Sequence, residues 1–188
     1  MAVVSGICAL VLSELGDARE ILDVGCGNGK IDVCIAKTGR RVTGVDVSHE
    51  GFALAHKSAR NAAVREHVYC IKADAAKLTS ILDEKFDAAL FVFTLHHMQE
   101  PDVGLAEARK VLKRNGRLVV VEYLKVKRKS KCQKFTREEL RDMIARSDFT
   151  VTQFKIEKKN IVIISATKGW AREIADVRHK QFLVQNVQ

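Results

Sequence analysis

The chain has 188 residues, 47% of them hydrophobic, a formal net charge of +9 and a single proline. That length suits one domain with a substantial core, and the composition excludes a disordered linker. The charge is local: residues 109–146 hold 14 Lys or Arg against 4 Asp or Glu, so the remainder is nearly neutral. A basic face attracts nucleic acid, acidic membranes or phosphorylated substrates, and is equally often a solvated surface.

Five cysteines (Cys8, Cys26, Cys34, Cys70 and Cys132) stand singly, with no C-x-x-C pair. An odd, unpatterned set reads as reduced thiols, hence a cytoplasmic protein, and argues against zinc. The apolar first 12 residues lack the charged leader and cleavage site of a signal peptide. They also fall short of the roughly 20 residues a bilayer span needs. Val4, Ile7, Val11 and Leu15 form one stripe, which predicts an amphipathic helix packed on a sheet.

Residues 21–29 read ILDVGCGNG: an apolar run with an acid, Asp23, then glycine at 25, 27 and 29. Residues 30–38 follow with Ile31, Cys34 and Ile35 at helical spacing. The unit is strand, glycine loop, helix, in which glycines take positive φ and let a ligand lie against the backbone. The spacing is not the G-x-G-x-x-G of dinucleotide sites, because the third glycine comes two residues after the second. Asp23 would oppose a pyrophosphate and suit a cationic amino group.

A second strand, 41–46, ends in Asp46, 21 residues after Gly25, near the offset of the acid that binds ribose hydroxyls in doubly wound folds. Val47 follows, placed to touch an adenine. The competing role for Asp46, capping the next helix, is better served by Ser48. A helix over 49–61 puts Phe52, Ala55, Ala59 and Ala62 on one face, and a third strand, 67–73, ends at Asp74 and Ala75. The fourth strand, 86–93, is apolar throughout, as a strand covered on both faces should be. It exits into Thr94-Leu95-His96-His97-Met98.

Pro101 opens a fourth helix that closes at Asn115-Gly116, with Leu105, Ala108 and Leu112 inward. A fifth strand, 117–123, ends in Glu122 and Tyr123, and residues 125–134 follow with six Lys or Arg. Thr136 and Glu139 form a capping box, and 149–156 and 161–167 alternate as a hairpin.

The sequence LDVGCGNG, with acids at 46 and 74, resembles the first motifs of the class I S-adenosylmethionine-dependent methyltransferases, over roughly residues 19–167. The resemblance implies a Rossmann-like α/β fold: a doubly wound, mostly parallel seven-stranded sheet of order 3-2-1-4-5-7-6, its last hairpin antiparallel. It implies one domain over 1–188, with an N-terminal helix to residue 18 and a tail from 168. It also implies S-adenosylmethionine as cofactor, held by Asp23, Gly25, Cys26, Gly27, Gly29, Asp46, Val47, Asp74, Ala75 and Thr94. Asp74 and Ala75 would meet the adenine, and the reaction centre would lie at 94–98. "LHHM" resembles the small-molecule branch, and the D/N-P-P-Y signature of nucleic-acid amino methylases is absent.

Methyl transfer is an in-line displacement that needs alignment and dryness, and a base only where the nucleophile carries a proton. His97 and His96 are the candidate bases, with Tyr123 and Glu122 flanking the acceptor. One histidine is as readily a core or cofactor-shell residue. No metal is expected, since adjacent histidines point apart. The acceptor is read as small or acidic, with the 125–134 stretch as a guide for it or for nucleic acid, and a second copy of the chain could close the pocket. The alternatives are a cofactor-binding or RNA-associated methylase subunit without catalysis, and a nicotinamide-dependent oxidoreductase. The glycine spacing and Asp23 oppose the latter.

Overall fold

Apolar runs separated by glycine-closed turns build a seven-stranded sheet with helices on both faces. The computed structural model describes residues 2–83, 85–125, 135–157 and 160–168. Cys132, most of the basic 125–134 stretch and the tail beyond Lys168 lie outside the described residues. The strands are β1 (Glu20–Val24), β2 (Arg41–Asp46), β3 (Val68–Lys72), β4 (Phe86–Val92), β5 (Leu112–Tyr123), β6 (Phe149–Glu157) and β7 (Ile161–Lys168). Their order is β3-β2-β1-β4-β5-β7-β6, with β7 antiparallel to both neighbours and the other pairs parallel. The resemblance implied this order.

The period-2 alternation of the strands sorts the core into two layers. Ile21, Val42, Leu90, Val119 and Val121 face α1 (Ala2–Leu15) and α2 (Lys30–Ala36), where Ile7, Val11, Leu15 and Ile35 cover them. Leu22, Ala89, Phe91, Leu118 and Val120 face α4 (Pro101–Val111) and α5 (Arg137–Arg146). Strand β4 is thus buried on both sides. Helix α3 (Phe52–Asn61) packs Ala59 with Val33 and Val68 beside α2. The capping box of α5 is present: Glu139 N–H donates to Thr136 Oγ1 at 3.1 Å, and Thr136 N–H to Glu139 Oε2 at 2.7 Å.

Four expectations are corrected. Cys8 and Cys34 form a disulfide, so these two are not reduced thiols. The stripe that buries α1 turns Cys8 toward α2, and the argument from unpaired thiols to a reducing compartment no longer applies. Helix α4 ends at Val111, and Leu112 is already extended, paired with Phe86 of β4. The chain then bulges around Asn115, at φ +61°, before Arg117 meets Ala88. In α2 the buried face is Asp32, Val33, Ile35 and Ala36, so an acid sits where a purely apolar stripe was expected. Helix α3 begins at Phe52 rather than 49, with Gly51, not Ser48, as its cap residue. No described helix is long and apolar enough to cross a membrane.

Candidate cofactor site at the carboxyl ends of the parallel strands

Strand order reverses between β1 and β4, and in open α/β sheets the crevice beyond the strand ends at such a point receives the ligand. Strand β1 runs there into Gly25, Gly27 and Gly29, at φ +80°, +54° and +65°. Each glycine has its own reason. A Cβ on Gly25 would collide with the Thr94 hydroxyl, and one on Gly29 would sit 2.5 Å from Ala55 Cβ on α3. A Cβ on Gly27 would meet nothing within 4 Å, so this glycine presents bare backbone to open space. The loop is tied to β2 by Gly25 N–H and Cys26 N–H, which donate to Val45 O at 2.7 and 3.2 Å.

Asp46 accepts from Gly27 N–H and Ser48 N–H, both at 2.9 Å, which fixes its carboxylate against the loop. An ionised carboxylate has about four acceptor sites, so two stay available for a ligand. Asp74 accepts Ala76 N–H at 2.9 Å and caps the 3-10 turn Ala75–Ser80. After β4, Phe93 takes φ +55°, a conformation costly for an aromatic residue and often associated with ligand sites. Its ring stacks on Tyr123 at 4.4 Å.

The two histidines part company here. His96 is held in the protein: Nδ1 lies 2.7 Å from Glu122 Oε1, and Glu122 is 0% exposed. Glu122 also accepts Tyr123 N–H at 2.8 Å, so this buried carboxylate is well satisfied. His97, whose ring lies 4.0 Å from that of His96, is exposed and lines the cavity.

These elements enclose a cavity of about 620 Å³, within the range of small-ligand pockets. Of the residues expected at the site, Gly25, Gly27, Asp46, Val47, Asp74, Ala75, Thr94 and His97 line it. Asp23, Cys26, Gly29, His96 and Tyr123 do not; Asp23 is 2% exposed and lies beneath the loop. Met98, within the expected reaction centre, also lines it, whereas Phe93, Gln99 and Glu100 line it and were missed. Their position just past β4 was the available signal. Among the described residues, the walls carry Asp46, Asp74 and Glu100, one histidine, and no Lys or Arg. Among the described residues, no group of three or more His, Cys, Asp or Glu could hold a metal ion.

Residues 22–120 match the family described as "Methyltransferase domain", which is more than half of the chain. The chain belongs to this family, the class I S-adenosylmethionine-dependent methyltransferases. It is 37% identical over 129 residues to the demethylmenaquinone methyltransferase of Tropheryma whipplei (strain Twist), covering 61% of this chain and 52% of that protein. Among solved structures, the [4+2]-cyclase SpnF superposes with a TM-score of 0.77 at 22% identity, over 87% of this chain and 80% of that one. Magnesium protoporphyrin IX methyltransferase from Synechocystis PCC 6803, with bound S-adenosylmethionine, gives 0.70 at 18% identity over 89% of this chain and 79% of that one. The chain spans between a third and about a half of the length of the curated relatives it matches.

The residues present fit the family's cofactor. Gly27 leaves a space that any Cβ would fill, and Asp46, bonded to the Gly27 N–H, keeps two acceptor sites for a ligand.

Proposed function

We propose that the protein is an S-adenosylmethionine-dependent methyltransferase acting on a small-molecule acceptor. The observation that carries this reading is a cavity walled, among the described residues, by three carboxylates and one histidine, with no Lys or Arg. Such walls suit a ligand bearing an ammonium and a sulfonium, and repel the pyrophosphate of a nicotinamide dinucleotide. When bound, the cofactor supplies an electrophilic methyl group on sulfur.

The chain's own residues bind and orient. Asp46 has acceptor sites to spare for two ribose hydroxyls, and charge-assisted bonds of that kind are the strong ones. Val47, 66% exposed at the cavity wall, offers an apolar surface to the base, and Asp74 an acceptor for its amino group. Phe93, Met98 and His97 form the wall beyond the glycine loop, where the acceptor would enter. His97 is the group available to take a proton or orient the acceptor, whereas His96 is engaged by Glu122. The acidic walls disfavour an anionic acceptor, so a neutral or cationic small molecule is the better match.

A second reading, a cofactor-binding subunit of a larger assembly, is favoured by the local basic charge. An acceptor screen that reads release of S-adenosylhomocysteine tests the first. Turnover that falls by about a hundredfold or more in Asp46→Ala and in His97→Ala supports it. If His97→Ala keeps wild-type turnover, the role of His97 fails. If no acceptor is turned over although the cofactor binds, the subunit reading replaces the enzyme.

A further inference from the structure

Beneath the glycine loop two carboxyl groups meet, and no described cation stands between them. Asp23, on β1, is 2% exposed, and Asp32, on the inner face of α2, is 0% exposed. Gly44 of β2, in register with Asp23, makes the room: a Cβ there would lie 2.6 Å from Asp32 Oδ2 and 2.7 Å from Cys26 Sγ. Asp23 Oδ1 and both oxygens of Asp32 lack any partner if both groups are ionised. The two side chains are nonetheless within hydrogen-bonding reach of each other. A bond between two carboxyls exists only if one of them brings a proton.

We propose that Asp23 and Asp32 share a single proton at neutral pH, held on Asp32, which donates it to Asp23. Asp32 is then a positioning residue. It orients Asp23 and leaves one negative charge, rather than two, below the loop. Toward the cofactor's ammonium group this rests on the function proposed above; the shared proton itself does not.

The surroundings agree. The ionisable groups facing the pair are Cys26 on the loop, Asp46 at the end of β2, and Cys70 on β3 with Arg65 beyond it. Cys26 is hydrogen-bonded to Cys70, which with burial pushes its thiol up and keeps it neutral. Among the described residues, no Lys or Arg side chain acts on either aspartate. Burial pushes Asp23 up to about 6 against the lowering effect of its bond to Asp32. Burial and the Asp23 charge push Asp32 well above the usual carboxylate range. Two like charges in one dry site cannot both ionise cheaply.

The test reads carboxyl carbon shifts of the ligand-free protein labelled with 13C-aspartate, assigned through Asp23→Asn and Asp32→Asn. The expected result is one carbon of the pair at its protonated position at pH 7. Two carbons that both ionise below about pH 5, as unperturbed aspartates do, overturn the proposal. Calorimetry with S-adenosylhomocysteine gives a second readout. Asp32→Asn, which still donates, keeps affinity within about threefold and keeps the low-pH limb of binding. Asp32→Ala, which strands Asp23, weakens binding by about tenfold and moves that limb to higher pH. An Asp32→Ala protein with the wild-type affinity and limb overturns the positioning role. If wild type does not bind the ligand at all while the carbon shifts come out as expected, the function proposed above fails and the shared proton stands.

Discussion

At the scale of single residues, the glycines of the loop act by different physics, and substitution separates them. Alanine at Gly25 meets the Thr94 hydroxyl at φ +80°, so Gly25→Ala is expected to cost about 1–3 kcal/mol in denaturant unfolding and to abolish cofactor binding. Gly27→Ala, with open space around its Cβ, costs about 1 kcal/mol for the left-handed backbone. It nevertheless weakens binding strongly, because the methyl occupies the ligand's side of the loop. Equal losses of stability in the two variants would refute this distinction. The loop and the strand-end acids Asp46 and Asp74 were legible in the sequence, since they follow from spacing along one segment. The division of labour between His96 and His97 was not. It depends on Glu122, which reaches His96 across the pairing of β4 with β5, a contact 26 residues away in sequence. Glu122→Ala is therefore expected to lower stability by about 1–3 kcal/mol, because it strands a ring nitrogen of the part-buried His96. A change within error would mean that the pair is replaceable by water.

At the scale of elements, α1 is joined to the core at two places. Glu14 accepts bonds from Gln153 Nε2 and Ser165 Oγ, both at 2.6 Å, and from Lys155 Nζ at 3.3 Å, which fixes the helix to the β6–β7 hairpin. The Cys8–Cys34 disulfide fixes its middle to α2, across a sequence separation of 26 residues. Closing a loop of that size stabilises by about 2–4 kcal/mol. Cys8→Ser is expected to lose that amount under oxidising conditions, with dithiothreitol bringing wild type to the same value. Equal stability of the two without reductant would contradict it. Element types were largely legible, because period-2 and helical stripes and the Thr136–Glu139 box are local patterns. The disulfide was not, because neither cysteine belongs to a spaced motif and only packing of α1 on α2 brings them together. The end of α4 was misread for a similar reason: Leu112 continues the helical stripe, and its pairing with Phe86 overrides it.

At the scale of the whole molecule, two sets of carboxylates pull stability in opposite directions with pH. Burial alone would raise Glu14, Asp87 and Glu107, but hydrogen bonds and lysines outweigh it and lower all three. Their contribution is complete above the unfolded values, 4.5 for Glu and 3.8 for Asp, and is lost as pH falls below them. Asp23 and Asp32 are raised instead, so the folded state holds protons that the unfolded state has lost. Stability then falls as pH rises from about 4 through about 6 and beyond. Thermal unfolding is thus expected to peak in the mildly acid range, and Asp32→Asn is expected to flatten the decline on the neutral side. An unchanged slope in that variant would contradict the assignment. The sheet order was legible through family resemblance, whereas the carboxyl pair beneath the loop required the structure, since Asp32 lies within an apolar helix with no partner nearby in sequence. The acid-walled cavity is expected to hold a cationic nucleoside. Calorimetric titration of wild type and Asp46→Ala with S-adenosylmethionine, S-adenosylhomocysteine and NADH tests it most directly. Micromolar binding of both sulfur ligands is expected, lost in Asp46→Ala, with none of NADH. Binding of NADH, or sulfur-ligand affinity that survives Asp46→Ala, would contradict it.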